Sequence, residues 1–296
     1  MMKIGFFGDG PWSHKALDII LSDPDFEIVF ICIRNDPGDD YLKDIAKKNE
    51  IHLLQHENIN SQEFIREIIM LNTDIFVSLA FNQIFRSEII RIPRLGIINC
   101  HAGKLPRYRG RNILNWALIN DEKEYGITIH FVDEGIDTGD IILQKCFPIS
   151  DKDSYKTLLN QAYNECGPLV LEALKNIKDD NYKRIKQDSI SEAPFYCVGR
   201  GEGDEIIDWN QNSRDIFNFI RAISDPGPNA TSFLNGIIFK AVSSEYIESA
   251  PIYKGKIGSI VGIEEDGFLV KTKDSHLKIR EYMYTGKIRI GDRFNE

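Results

Sequence analysis

One stretch of the chain, Leu95 to Gln144, carries the side chains best suited to catalysis. It begins with the apolar run Leu95–Ile98, which predicts a buried strand, and Asn99 and His101 stand where that strand should end. Side chains alternate along a strand, so Asn99 and His101 should share one face while Cys100 points away. At a strand's carboxyl end, where open α/β sheets bind ligands, an amide and an imidazole can stabilise a developing oxyanion and exchange a proton.

An acidic turn, DEGIDTGD at residues 133–140, follows a second strand-like run at Ile127–Val132. Asp137 in this turn could fix the protonation state of His101 if the turn folds back over that histidine. The sequence does not give the distance between the two side chains. His130 and Asp133 could suggest a metal site, but no third ligand stands at a useful spacing. No metal site is therefore predicted.

Five motifs in this stretch resemble one known family. They are N-x-H at 99–101, L-P-x-Y-R-G at 105–110, W-A at 116–117, G-x-T-I-H at 126–130 and D-x-G-D-I-I-x-Q at 137–144. Together they resemble the formyltransferases that use 10-formyltetrahydrofolate, and several spaced matches are more specific than one short motif. The resemblance implies that Asn99, His101 and Asp137 are catalytic. Asn99 and protonated His101 would donate hydrogen bonds to the oxyanion, and Asp137 would favour the imidazolium or relay the proton.

The resemblance also implies binding residues around this centre. The residues expected at the folate are Phe81, Gln83, Ile84, Phe85, Asp133, Gly135 and Ile136. Those expected at the acceptor are Gly10, Pro11, Trp12, Lys104, Arg109 and Arg111, with Arg111 preferred as a phosphate contact and Arg109 as the more structural of the two arginines. Core packing of the apolar loop, a solvated arginine face and a core-edge role for Trp12 remain open alternatives.

The loop Arg109-Gly110-Arg111 and the pair Asn115-Trp116 most resemble those of enzymes that formylate amino sugars. This resemblance implies that the acceptor is a nucleotide-linked amino sugar, formylated in lipopolysaccharide O-antigen synthesis. A net charge of -9 argues against binding a polyanion, and residues 201–296 hold 12 Lys and Arg against 15 Asp and Glu. In addition, Arg111 stands after Gly110, where members of the family commonly have a proline. The expected partners exclude nucleic acid and membrane, and a homodimer is kept as one oligomeric option. Two alternatives stay open: a methionyl-tRNA formyltransferase and a non-catalytic folate- or nucleotide-binding protein.

Strands and helices alternate through the first half of the chain, which predicts an α/β fold with a doubly wound, mainly parallel, Rossmann-like sheet. A domain at 1–190 would end in a long helix, Asp151–Lys178, and a polar linker, Asp179–Glu192. Short strand-like runs after one helix predict a smaller β-rich open barrel at 191–296. The turn at Gly8–Pro11 is expected to be structural, because Ser13 replaces the third glycine of a dinucleotide fingerprint.

The composition favours a cytoplasmic protein. The five cysteines are scattered without a C-x-x-C pair, as expected of reduced thiols. Neither a signal peptide at the N-terminus nor a long uncharged run is visible, and an apolar content of 42% can bury a sizeable core.

Overall fold

The computed structural model describes residues 1–295, which form two compact units. The first contains 1–110, 126–147 and 160–196, and the second contains 111–125, 148–159 and the chain from Cys197 onwards. The predicted domain ranges 1–190 and 191–296 stay a prediction, because compactness in space does not by itself define segments that fold alone.

A seven-stranded sheet forms the centre of the first unit, with the spatial order β3-β2-β1-β4-β5-β7-β8. Its strands are β1 (Met2–Gly8), β2 (Phe26–Ile33), β3 (His52–Gln55), β4 (Ile75–Leu79), β5 (Ile97–His101), β7 (Glu124–Phe131) and β8 (Ile141–Pro148). Strands β1 to β5 pair in parallel, whereas β7 runs antiparallel to β5. Two further short strands, β6 (Arg109–Gly110) and β9 (Tyr196–Cys197), form a separate pair. The predicted mainly parallel, doubly wound sheet is confirmed.

Helices alternate with the first strands as the sequence predicted. The helices are α1 (Gly10–Leu21), α2 (Asp40–Lys48), α3 (Gln62–Met70), α4 (Ser87–Ile90), α5 (Ile113–Ile119), α6 (Tyr155–Lys178) and α7 (Ser213–Ala222). Helix α5, however, lies in a region that was predicted to be a loop. Local chemistry fixes two of their starts, because the side chains of Asp39 and Ser61 accept from the first-turn amides of α2 and α3. None of the helices in residues 1–295 is long and apolar enough to cross a membrane.

Phe7 of β1 lies at the centre of an aromatic core under the sheet. Its ring centroid lies 5.5 Å from that of Phe30, 5.3 Å from that of Phe76 and 5.0 Å from that of Phe85. All four rings are buried. Fully burying one such side chain contributes about 1.5–3 kcal/mol, so this cluster holds the parallel strands, and hence their carboxyl ends, in place.

The turn between β1 and α1 is bonded to the carboxylate of Asp39, which lies at the start of α2. The backbone N–H of Gly10 donates to Asp39 Oδ2 at 2.7 Å. The Asp39 carboxylate therefore occupies the Gly10 N–H, which a phosphate would need as a donor, and its negative charge would repel a phosphate at the start of α1. Both effects agree with the expectation that the turn at Gly8–Pro11 is structural.

The second unit contains a six-stranded antiparallel sheet with the order β12-β13-β14-β11-β10-β15. The strands are β10 (Ala230–Leu234), β11 (Ile237–Glu245), β12 (Ile260–Glu264), β13 (Gly267–Lys271), β14 (His276–Met283) and β15 (Phe294–Asn295). This sheet confirms the expected β-rich C-terminal domain. Strand β10 was not predicted from the sequence, although Asn235-Gly236, both at positive φ, is a strong hairpin signal.

The polar segment 179–192, predicted as a linker, is tied to the first unit. Ile185 forms an antiparallel bridge with Ile141. A short 3-10 helix, Gln187–Ser189, follows. This arrangement depends on contacts between distant residues, which a polar sequence without periodicity does not reveal.

Candidate active site

Asn99 and His101 lie at the carboxyl end of β5, as the sequence predicted. Asn99 pairs in register with Ser78 of β4 on one side and with His130 of β7 on the other. His101 is buried, whereas Asn99 is partly exposed. The central sheet therefore fixes both backbones, and alternation along β5 places both side chains on one face.

The acidic turn folds back over His101. Asp137 Oδ2 lies 3.6 Å from His101 Nδ1, and Asp137 Oδ1 lies 3.5 Å from His130 Nε2. The backbone N–H of Gly110 donates to Asp137 Oδ2 at 2.8 Å. One carboxylate thus faces two imidazoles, and the geometric condition set by the sequence analysis is met.

Two local features give the turn its shape. The Asp133 carboxylate accepts from the Gly135 N–H at 3.0 Å and from the Thr138 hydroxyl at 2.5 Å, so Asp133 closes the turn on itself. A Cβ on Gly139 would collide with the carbonyl oxygen of Phe131, so only glycine allows this close return. The turn delivers Asp137 to the histidines with φ at 54°, a left-handed conformation that Asp tolerates better than most residues.

The loop after β5 wraps around the His101 ring. His101 Nε2 donates to the carbonyl oxygen of Tyr108 at 2.7 Å. Tyr108 has φ at 58°, which costs a bulky residue on the order of 1–3 kcal/mol. Its buried ring packs edge-on against Phe195 at 4.7 Å between centroids. A Cβ on Gly103 would lie 2.5 Å from His101 Nε2, so this wrapping also requires a glycine.

The charge state of Asp137 follows from these contacts. Burial opposes its ionisation, but His101, then His130 and the Gly110 N–H, together hold the pKa of the carboxyl well below its usual range. Because the folded-state pKa is depressed, the carboxylate stabilises the fold above the ordinary Asp pKa of about 3.9, and this contribution disappears as the pH falls through the lower folded value. At neutral pH Asp137 is therefore a fixed negative charge.

His130 is a site residue that the sequence analysis considered only as a metal ligand. Its Nδ1 donates to the carbonyl of Phe131 at 2.8 Å, and its Nε2 lies 3.3 Å from Asn99 Nδ2. His130 Nε2 therefore lies against both the Asn99 amide and the Asp137 carboxylate. Only the register of β5 against β7 reveals this arrangement, and the sequence does not contain that register.

The predicted folate loop at 81–85 combines packing with exposed apolar surface. Phe81 packs against Phe7 with ring centroids 5.4 Å apart, and Phe85 is buried in the core. The Gln83 side chain accepts from the Ile59 N–H at 2.9 Å and donates to a backbone carbonyl at 2.9 Å, so it holds the loop. Ile84 is 60% exposed and Ile136 in the acidic turn is 51% exposed, which leaves apolar side chains available for a flat ring. Folate contacts at these residues stay a prediction.

The predicted acceptor residues are scattered. Trp12 packs edge-on against Tyr163 at 4.9 Å, and Pro11, which follows Gly10, is exposed. Lys104 Nζ lies 3.5 Å from Glu192 Oε1. Arg109 is buried and donates to Gln187 Oε1, as expected of a structural arginine. Arg111 is exposed and belongs to the second unit. Acceptor contacts at these positions stay predictions.

The chain matches known proteins in family, in sequence and in structure. The family described as "Formyl transferase" matches residues 2–174, and "Formyl transferase, C-terminal domain" matches residues 201–293. The methionyl-tRNA formyltransferase of Clostridioides difficile is 32% identical over 299 residues, covering 98% of this chain and 94% of that protein. The methionyl-tRNA formyltransferase of Fusobacterium nucleatum is 35% identical over 285 residues, covering 94% and 91%.

Solved structures agree on the fold. A sugar 3N-formyltransferase crystallised with dTDP and 5-N-formyl-THF matches with a TM-score of 0.71 at 24% identity, covering 97% of this chain and 99% of that one. An N-formyltransferase from Helicobacter canadensis, in complex with folinic acid and dTDP-3-aminofucose, matches with a TM-score of 0.69 at 24% identity, covering 96% and 100%. At this level of identity the structures support the architecture of both units and do not identify an acceptor.

Proposed function

This chain belongs to the formyltransferase family, and we propose that it transfers a formyl group from 10-formyltetrahydrofolate to the amino group of methionyl-tRNA. The observation that carries the proposal is the similarity to bacterial methionyl-tRNA formyltransferases, which extends over both units and nearly the full chain. Sugar N-formyltransferases share the fold at lower identity.

Family membership decides several expectations from the sequence. The chain is a folate-dependent N-formyltransferase that uses 10-formyltetrahydrofolate, which confirms the expected activity and co-substrate and sets aside the non-catalytic alternative. The expected nucleotide-sugar acceptor is wrong, because the full-length relatives are named for methionyl-tRNA. The expectation of no nucleic-acid partner has no support for the same reason.

The net charge of the C-terminal domain conceals a local concentration of basic side chains. Two segments of the second unit, 254–260 and 287–293, lie side by side: the Gly291 N–H donates to Ile260 O at 2.9 Å, and the Ile260 N–H donates to Asp292 O at 2.8 Å. Together these segments carry five exposed basic residues, here called the basic patch: Lys254, Lys256, Lys287, Arg289 and Arg293. Affinity for a phosphate backbone depends on such a local concentration of charge rather than on net charge.

Within the part of the chain that the structure describes, no ion pair neutralises the charges of the basic patch. Among residues 1–295, none of its five members lies within ion-pair distance of a carboxylate. The carboxylates of Glu264 and Asp266 instead pair with Lys278, and Asp266 also pairs with Arg280. The acidic residues of this domain are therefore partly engaged in internal pairs, whereas the basic patch is available to an RNA.

The arrangement at β5 suits formyl transfer to an amine. The acceptor amine attacks the formyl carbon, and negative charge develops on the formyl oxygen. The bond from that carbon to N10 of the folate then breaks, and tetrahydrofolate leaves with the proton that the amine loses. Asn99 has two amide N–H donors, of which one faces His130. His101 Nδ1 lies 3.6 Å from Asp137 Oδ2, close enough for the carboxylate to stabilise a positive charge that develops on the imidazole during the reaction. We assign oxyanion stabilisation to Asn99 and His101, and support of the imidazolium to Asp137.

A charge-removal experiment tests the acceptor. We expect the triple variant Lys254→Gln, Lys256→Gln, Arg289→Gln to raise KM for methionyl-tRNA and to flatten its salt dependence, by roughly 0.7–0.9 in the log–log slope for each phosphate that is no longer neutralised. KM for 10-formyltetrahydrofolate should not change. A matched control removes three exposed charges from the first unit, Lys47→Gln, Lys48→Gln and Arg66→Gln. Equal effects in the two triple variants would argue against RNA binding at the basic patch.

A further inference from the structure

Gln187 is buried in an otherwise polar segment that showed no core pattern. It is 4% exposed and begins the short 3-10 helix Gln187–Ser189. A buried amide costs free energy unless its donors and acceptor are bonded, so its partners indicate why it lies inside.

The Gln187 side chain bonds on both of its ends. Its Nε2 donates to the carbonyl oxygens of Asp137 and Gly139, each at 2.8 Å. Its Oε1 accepts from Arg109 Nε at 3.1 Å and from Arg109 Nη2 at 2.7 Å. Donors at one end and an acceptor at the other fix the amide in one orientation, because a flipped amide would oppose like groups at both ends.

These hydrogen bonds connect the acidic turn to Arg109 of β6. On one side Gln187 holds the backbone of the turn at Asp137 and at Gly139. On the other side it holds Arg109, whose neighbour Gly110 donates its backbone N–H to the Asp137 carboxylate at 2.8 Å. The same glutamine therefore restrains both the backbone of Asp137 and the strand that supports its side chain.

We propose that Gln187 is a positioning residue that holds the Asp137 carboxylate against His101 and His130. This inference rests on the catalytic role proposed for Asp137, but it does not depend on which amine is the acceptor. The position of the carboxylate is critical, because its oxygens lie 3.6 Å from His101 Nδ1 and 3.5 Å from His130 Nε2, and a small displacement would weaken both contacts. A displacement of about 1 Å at such a group can cost about 10²-fold in rate.

Two variants test whether the hydrogen bonds of the Gln187 side chain position Asp137. Gln187→Glu keeps the acceptor for Arg109 but replaces both donors to the turn, and Gln187→Met removes all four hydrogen bonds at similar volume. We expect each variant to lower kcat by about 10²-fold, with little change in KM for 10-formyltetrahydrofolate or for the acceptor. The matched control is Gln55→Met, because Gln55 also donates to two backbone carbonyls, those of Arg34 and Asn35, at an exposed position of β3.

A second measurement reads the turn directly and without any acceptor. In protein labelled with ¹³C at the aspartate carboxyls, the Asp137 signal is identified by its disappearance in Asp137→Asn. Because its contacts with His101, His130 and Gly110 hold the pKa of Asp137 low, loosening the turn should move its titration to higher pH in both Gln187 variants but not in Gln55→Met. Unchanged kcat in Gln187→Glu, or a reduced kcat with an unchanged Asp137 titration, would overturn the positioning role. Absence of methionyl-tRNA formylation by the wild type would instead refute the proposed function and leave this readout intact.

Discussion

Replacing His101 by Asn should reduce kcat by about 10²–10⁴-fold while leaving KM for 10-formyltetrahydrofolate nearly unchanged. The imidazole is buried between the Tyr108 carbonyl and Asp137, and an amide in its place cannot accept or hold a proton. Asn is short enough to fit the loop that Gly103 allows around the ring. Steady-state kinetics with saturating methionyl-tRNA and varied formyl donor measure both parameters.

The control for this variant is His52→Asn. His52 lies on β3 and is exposed, with its Nε2 3.1 Å from Glu67. It should keep full activity. If His101→Asn retained a kcat comparable to that of His52→Asn, the catalytic assignment of His101 would be wrong.

Replacing Asp137 by Asn should lower kcat by about 10²–10³-fold and alter the pH–rate profile. Asn adopts the left-handed conformation at least as readily as Asp, so the turn should keep its φ of 54° and the variant should report the removal of the charge. The depressed pKa of Asp137 keeps it charged throughout the assay range, so its own titration does not shape the profile. Removing this fixed negative charge beside His101 changes the electrostatic environment of the reacting groups, so the pH dependence of kcat should differ from that of the wild type.

A matched control lies in the same turn. Asp140 pairs with Arg184 at 3.1 Å, and Asp140→Asn removes one negative charge three residues from Asp137. Its profile should match the wild type. Parallel profiles for Asp137→Asn, Asp140→Asn and the wild-type protein would show that Asp137 serves only to shape the turn.

The sequence was sufficient for features that depend on local order. Apolar runs and alternation predicted β5 with Asn99 and His101 at its end, and the βαβ rhythm predicted the parallel sheet. Glycine and aspartate spacing predicted a sharp turn at Asp137. These features follow from periodicity and turn chemistry, which neighbouring residues determine.

Features that depend on pairing between distant segments were missed. His130 reaches Asn99 only through the register of two strands separated by a loop and a helix. Gln187 reaches Asp137 from a segment without any hydrophobic period. The basic patch forms because residues near 254 and near 289 become neighbours, so a charge total over the domain concealed it. In each case the chemistry was visible in the residue type, but its partner was not.

The most direct test of the proposed function is formyl transfer by the purified protein. 10-Formyltetrahydrofolate is offered with methionyl-tRNA, with uncharged tRNA and, in parallel, with dTDP- and UDP-linked amino sugars, and His101→Asn serves as the blank. We predict formylated methionyl-tRNA in the first reaction alone, with turnover that declines as salt is raised. Turnover of an amino sugar with methionyl-tRNA left unmodified would contradict the account.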